Sequence, residues 1–148
     1  MRLRRGFTLV ETVMVVVVVS LCGLIALPKF SQALATSNLG NAKNKLTTLY
    51  GSARAAAAGS GRTAYLHLSG NRIFATASPR LVSLAGSTRD TLTPVENVYT
   101  QYGIALASTR DSIRIDPAGM GRDSAVIVLT KGTQTATVRI SQFGRIVK

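Results

Sequence analysis

An almost uninterrupted apolar run near the amino terminus, residues 7–27, limits what this chain can fold into. Only Thr8, Glu11, Thr12 and Ser20 interrupt its apolar and small side chains. A helix of this length spans roughly 30 Å, the thickness of the hydrocarbon part of a bilayer. Because lipid offers the backbone no hydrogen-bond partners, the run must be helical there despite its many valines. We therefore expect residues 7–27 to form a membrane-spanning helix.

The positive charges that precede this run indicate its orientation in the membrane. Arg2, Arg4 and Arg5 precede it, within a chain of 148 residues that carries a formal net charge of +12. Basic residues next to a membrane helix tend to stay in the cytoplasm. We expect the amino terminus to be cytoplasmic and the rest of the chain to lie on the other side of the membrane.

The composition argues against catalytic and metal chemistry. A single cysteine, Cys22, excludes an intrachain disulfide and a cysteine-cluster metal site, and His67 is the only histidine. His67 alternates with apolar neighbours, which favours a packed or surface side chain over a metal ligand. No nucleotide-binding or hydrolase string occurs. We therefore expect a protein that is not an enzyme and has no cofactor or metal.

The helical pattern continues past Pro28, where we expect a kink because proline lacks an amide proton. Residues 28–58 form an amphipathic helix with one apolar stripe. Gly59 and Gly61 mark its end. The prediction is one helix over residues 7–58 whose second half packs on a globular head. The stripe comprises Phe30, Leu34, Ala42, Leu46, Leu49, Tyr50, Ala53 and Ala57.

The pattern changes to a period of two from residue 62 onward, which predicts an antiparallel sheet and an α+β fold. Residues 69–71 and 116–119 have the composition of tight turns. Residues 79–111 are the least regular and favour a long loop with two weak strands, residues 80–85 and 95–106. The clearer strands are residues 63–68, 72–77, 112–115, 125–129, 135–140 and 145–147.

The string Gly6-Phe7-Thr8-Leu9-Val10-Glu11 joins the basic leader to the apolar run. A glutamate inside a membrane helix is costly and needs a partner or a function. The string resembles the class III signal of type IV pilins and pseudopilins, with the match extending from residue 4 to Pro28. That resemblance implies cleavage between Gly6 and Phe7 by a prepilin peptidase, N-methylation of Phe7, and a role for Glu11 in filament assembly.

The rest of the chain resembles a narrower group, the minor pseudopilins of the GspH/FimT type, over residues 53–57, 65–68, 113–119 and 140–146. This resemblance implies a type IV pilin-like fold and a minor subunit of a type II secretion pseudopilus or a type IV pilus. Its partners would be other pilin or pseudopilin subunits, the prepilin peptidase and the bacterial inner membrane. The implied segments are a leader (1–6), a transmembrane and assembly helix (7–27), an amphipathic continuation (28–58) and a head (59–148).

Two readings of the amino terminus compete with this one. An ordinary secretory signal would be cut after Ala35, because Ala33-Leu34-Ala35 resembles a signal peptidase site. The apolar run is longer than the usual core of such a signal, and that reading leaves the Gly6–Glu11 string unexplained. The other reading is a generic membrane-anchored extracytoplasmic binding protein or enzyme.

The basic head suggests a different function. Residues 59–148 hold eleven basic and five acidic side chains, which either form a solvated basic surface or bind DNA. Some FimT-like pilins bind DNA for uptake through a carboxy-terminal Gly-Arg motif, which Gly144-Arg145 resembles in part. The candidate contacts with DNA or another anion are Arg139, Arg145 and Lys148.

Overall fold

The computed structural model describes residues 8–79 and 89–147. By contacts the chain forms two compact units, Met1–Leu34 and Ala35–Lys148. One long helix is followed by short strands and one short helix. In chain order these are α1 (Leu9–Ser60), β1 (Ala64–Ser69), β2 (Arg72–Ala77), β3 (Asp90–Thr91), β4 (Glu96–Asn97), α2 (Val98–Tyr102), β5 (Ala105–Ser108), β6 (Ser112–Ile115), β7 (Ala125–Lys131), β8 (Gln134–Ile140) and β9 (Ile146–Val147).

Helix α1 confirms the expected long helix and continues through Pro28 without interruption. Its apolar side chains before residue 35 are solvent-exposed, and it is long and apolar enough to cross a membrane. Polar side chains in this stretch bond to the helix's own carbonyls. Ser20 Oγ donates to Val16 O at 2.7 Å, and Ser31 Oγ donates to Pro28 O at 2.9 Å. Their hydroxyl groups therefore need no partner from a surrounding lipid phase.

The second unit contains the hydrophobic core. Its helical contribution begins at Leu39, so the buried part of the apolar stripe is shorter than the sequence pattern predicts, and Phe30 and Leu34 are exposed. The remaining core residues come from the inward faces of two sheets, except Val98 on α2 and Ile104 just before β5. The buried residues of α1 are Leu39, Ala42, Leu46, Leu49, Tyr50, Ala53 and Ala57.

The first sheet has the order β3-β2-β1-β6, and β4 also pairs with β2. Strands β1 and β2 form a hairpin whose two loop residues, Gly70 and Asn71, have φ of 61° and 62°. Two positive φ angles match the twist of the flanking strands, which is why a Gly-Asn pair suits this turn. The tight turn expected at residues 69–71 is confirmed.

The second sheet has the order β5-β7-β8-β9, and every pairing in both sheets is antiparallel. Buried side chains alternate along β7, which places Ala125, Ile127 and Leu129 in the core. The α+β prediction, with a long helix and antiparallel strands, is confirmed.

The strand predicted over residues 95–106 is wrong, because this segment contains the short helix α2 between β4 and β5. Asn97 caps α2: its side-chain oxygen accepts from the amides of Tyr99 (3.0 Å) and Thr100 (3.2 Å). Gly103 ends it in the left-handed conformation, with φ of 64°. The spacing of this asparagine and glycine outweighed the β propensity of the residues between them. The weak strand predicted over residues 80–85 lies outside the described residues.

Arg62 ties together the two chain segments that flank residues 80–88. Its Nη1 donates to Ser78 O at 2.8 Å and to Asp90 Oδ2 at 2.7 Å. The register of β2 and β3 pairs Ala77 with Asp90 at the same place. The ends of this connection are therefore fixed by a guanidinium group and by a strand pair.

Candidate functional site

The start of α1 is capped by a residue of the amino-terminal motif. The Thr8 hydroxyl accepts a hydrogen bond from the amide of Glu11 at 3.3 Å. A threonine followed three residues later by a glutamate is the spacing of a capping box. Sequence analysis did not assign this role to Thr8, although the Thr-x-x-Glu spacing was the available signal. The cap places Glu11 in the first turn of the helix, where its negative charge is favoured by the helix dipole.

The Glu11 side chain is exposed, and no described residue forms a hydrogen bond or ion pair with its carboxylate. Gly6 and Phe7 lie outside the described residues, so cleavage and methylation there stay predictions. Helix α1 continues through Pro28 without a break, and a bend of the helix axis at this residue stays a prediction. Because no described residue pairs with the Glu11 carboxylate, this group can bind a cation from another molecule.

Arg54 connects helix α1 to two turns of the head. Its Nε donates to Gly119 O at 2.6 Å, and its Nη1 donates to Gly144 O at 3.4 Å. The first turn was expected at residues 116–119 and is closed by a bond from the Gly119 amide to Asp116 O at 2.8 Å. Sequence analysis did not find this role of Arg54, because the two acceptor carbonyls lie far away along the chain.

Tyr50 lies one helical turn before Arg54 and fills the space beneath the same two turns. A Cβ atom added at Gly121 would lie 2.8 Å from Tyr50 Oη, and one added at Gly144 would lie 2.9 Å from it. Burial raises the pKa of the Tyr50 hydroxyl, and the nearby Arg54 charge opposes that rise. The two glycines are therefore required by the close approach of a buried aromatic side chain.

Several arginines of the basic head form ion pairs with carboxylates of the same chain while part of each side chain stays exposed. Arg110 lies 3.7 Å from Asp123, and Arg122 forms a short ion pair with Asp116. Arg62 is paired with Asp90, as described above. These ion pairs leave fewer free cations for an anionic ligand than the composition suggests.

Arg139 and Arg145 are both exposed, and the structure brings them to one face of the second sheet. Arg139 pairs with Val147 in the β8–β9 register, and the Ser141 amide donates to Arg145 O at 2.9 Å. Side chains two positions apart on neighbouring strands share a face. Arg139 also lines a shallow cavity with Thr109, Ser124 and Ser141. Lys148, the third candidate contact, lies outside the described residues.

His67 is packed into the outer face of the first sheet. Its Nε2 lies 2.9 Å from Thr76 Oγ1, and its ring stacks on Phe74 with centroids 4.6 Å apart. Burial lowers the pKa of His67, and the Arg89 charge lowers it further. Within residues 8–79 and 89–147, no three His, Cys, Asp or Glu side chains are grouped to hold a metal ion.

Comparisons with known proteins agree with the amino-terminal motif. A family model described as the prokaryotic N-terminal methylation motif matches residues 1–27. No curated protein matches this sequence significantly.

The fold is similar to that of a solved minor pilin. One crystal structure of the Pseudomonas aeruginosa (strain PAO1) type IV minor pilin FimU has a TM-score of 0.58 at 14% identity, covering 76% of this chain and 88% of that chain. A second crystal form of FimU has a TM-score of 0.54 at 16% identity, covering 74% and 90%. This chain therefore carries a prokaryotic N-terminal methylation motif at residues 1–27 and has, over about three quarters of its length, a fold similar to that of a type IV minor pilin.

Proposed function

We propose that this protein is a non-catalytic minor subunit of a type II secretion pseudopilus or a type IV pilus. The observation that carries the proposal is the arrangement at the amino terminus. The methylation motif leads directly into a capped helix whose first turn presents Glu11 among exposed apolar side chains. Such a helix buries its apolar surface either in a membrane or among similar helices in a filament.

The chemistry of processing explains the position of Glu11. Cleavage between Gly6 and Phe7 creates a new α-amine, which is cationic before and after N-methylation. In a filament of staggered helices, the Glu11 carboxylate of one subunit neutralises the Phe7 amine of its neighbour. Pairing offsets part of the cost of burying both charges in an apolar bundle.

The same arrangement supports a location in the bacterial inner membrane. Residues 7–27 cross the bilayer once, with the amino terminus in the cytoplasm and the head on the opposite side. The arginines of the leader favour this orientation. Assembly then draws the helix from the membrane into the pseudopilus or pilus.

Cleavage is tested by co-expressing the full chain with a prepilin peptidase and sequencing the amino terminus of the product. We expect Phe7 as the first residue. A product that begins at Met1 would contradict prepilin processing, and one that begins at Thr36 would indicate an ordinary signal peptidase.

The Glu11→Ala variant tests assembly. We expect normal membrane insertion, because the substitution makes the helix more apolar. Incorporation into filaments should fall at least roughly tenfold, because a buried amine without a partner is costly. Ser20→Ala is the matched control, since Ser20 bonds only to its own helix. Normal incorporation of Glu11→Ala would refute the proposed pairing.

Binding of DNA by the head is a second candidate function, favoured by the placement of Arg139 and Arg145 on one sheet face. Phosphate contacts of this kind make affinity strongly dependent on salt. We expect the Arg139→Gln and Arg145→Gln double variant to weaken duplex binding and reduce its salt dependence. Arg110→Gln is the control, because Arg110 is already paired with Asp123. Failure of the unaltered chain to bind duplex DNA at low salt would exclude this function.

A further inference from the structure

Two neighbouring turns of the head expose large apolar side chains to solvent. Phe143 is 73% exposed, more than any other large apolar side chain described within residues 35–148, and Met120 is 53% exposed. Both line one open cavity of about 310 Å³, together with Asp116, Gly121, Arg122 and Gln142. We call Met120, Arg122, Gln142 and Phe143 the Phe143 surface. Exposed apolar patches bordered by polar groups are typical of interaction sites.

The backbone beneath the Phe143 surface is held in place by hydrogen bonds. The amide of Asp116 donates to Met120 O at 2.8 Å, and the amide of Gly144 donates to Ser141 O at 2.8 Å. Arg54 bonds to both turns from below. A surface that is ordered before binding loses little conformational entropy when a partner docks. The hydrogen bonds of these two turns therefore hold Phe143 in an exposed position.

The charges around this surface select the kind of partner. Residues 35–148 contain fourteen basic and five acidic side chains, and four of the five carboxylates already form ion pairs within the chain. The Arg122 side chain is 68% exposed despite its ion pair with Asp116. Arg145 is exposed next to Gly144, and no described carboxylate pairs with it. This excess of positive charge disfavours a second copy of the unit and favours an acidic surface on a different protein.

We propose that the Phe143 surface docks the head of another filament subunit, one with a net negative charge and an apolar socket for Phe143. Carboxylates at the rim of that socket approach the exposed side chain of Arg122, which lines the same cavity as Phe143. Aromatic residues, methionine and arginine are the types enriched at protein interfaces, whereas a nucleic acid offers no apolar socket. This inference rests on the proposed function, because it names the neighbour of a filament subunit.

The test measures pairwise affinities of the full chain, in detergent micelles, for each other prepilin-motif subunit of the same cell. We expect at least one subunit with a negatively charged head to bind. Phe143→Ser should weaken that binding roughly 30-fold, the loss typical of a central aromatic residue. Tyr99→Ser is the matched control, because Tyr99 is a 60% exposed aromatic residue on α2, and it should change affinity by less than about twofold.

A charge reversal provides an independent variant. Arg122→Glu should also weaken binding, and an acidic-to-arginine substitution at the partner's rim should restore it. The inference is overturned if no acidic subunit binds, if Phe143→Ser and Tyr99→Ser have equal effects, or if Phe143→Ser impairs binding of a DNA duplex and not of a subunit. Hydrogen exchange of β7 amides verifies that each variant is folded.

Processing and incorporation are scored in the same cells, so that the two proposals fail separately. If the chain is cut before Phe7 and enters filaments but no acidic subunit binds, only the docking inference falls. If the chain is neither cut nor incorporated, the proposed function falls, and the docking inference falls with it.

Discussion

Tyr50 is the largest fully buried side chain described within residues 35–148, and its hydroxyl group has no hydrogen-bond partner among the described residues. A buried polar group without a partner costs about 1–3 kcal/mol, because it has lost its bonds to water. Tyr50→Phe removes this group and keeps the ring in the core. We therefore predict that the substitution raises the free energy of unfolding by about 1 kcal/mol, after allowing for the contacts that the oxygen makes with Gly121 and Gly144.

The same contacts predict the effect of enlarging the glycine. In Gly121→Ala the new Cβ would lie 2.8 Å from Tyr50 Oη and 3.0 Å from backbone atoms of Gly144. Overpacking of this kind costs about 1–3 kcal/mol. The cost should be smaller in the Tyr50→Phe background, where the nearest atom is gone, but it should not vanish, since the Gly144 backbone remains. The difference between the two backgrounds measures the coupling of these residues.

The assay is amide hydrogen exchange of Ile127 and Leu129 in the detergent-solubilised full chain. Both lie in the central part of β7, where amides open mainly on unfolding of the whole unit. Gly51→Ala is the control: nothing lies within 4 Å of a Cβ there, and alanine is a better helix former than glycine by about 1 kcal/mol. It should stabilise the unit equally in both backgrounds.

A decrease of 1 kcal/mol or more in the stability of Tyr50→Phe would refute this reasoning, since the hydroxyl would then have to be bonded. An equal cost of Gly121→Ala with and without the hydroxyl would show that the Gly144 backbone alone limits the site. The raised pKa of Tyr50 also predicts how the free energy of unfolding changes at alkaline pH. The unfolded chain loses this proton first, near pH 10.0, so wild-type stability should fall above that pH more steeply than that of Tyr50→Phe.

Two further predictions concern acid pH. The pKa of His67 is lowered by burial and by the Arg89 charge, so below pH 6.5 the unfolded chain binds a proton more tightly than the folded chain does. The contribution of His67 to stability should therefore be complete above pH 6.5 and should be lost as the pH falls below that value. His67→Gln should remove this loss in urea midpoints measured from pH 7 to pH 5, and an unchanged slope would contradict it. The pKa of Glu96 is lowered by its hydrogen bond to Lys45, at 2.9 Å, and by Gln101, so a second loss should begin below about pH 4.5. Glu96→Gln should flatten that limb of the same titration, whereas a limb of unchanged slope would show that the ion pair is already broken by solvent.

The sequence patterns predicted the features that depend on local periodicity. A period near 3.6 placed Leu46, Tyr50 and Ala53 on the buried side of α1, and alternation placed β1 and β2. Helix α2 was missed because two capping residues, Asn97 and Gly103, decide it rather than periodicity.

Features that depend on distant segments were not predictable from one sequence. The contacts of Arg54 with Gly119 and Gly144 join positions 65 and 90 residues apart. Phe143 reads as an ordinary turn residue until the fold shows that Met120 lines the same cavity. The Thr8 cap was a different omission, because its spacing from Glu11 was visible in the sequence and was not used.

The hydrogen bonds of Arg62 to Ser78 and Asp90 have a consequence for engineering this chain. The pairing of Ala77 with Asp90 holds the two ends of the intervening connection next to each other. Doubling the length of a flexible connection costs only about 0.6 kcal/mol in loop entropy. We therefore expect an epitope or a fluorescent label inserted between these two ends to change the free energy of unfolding by little.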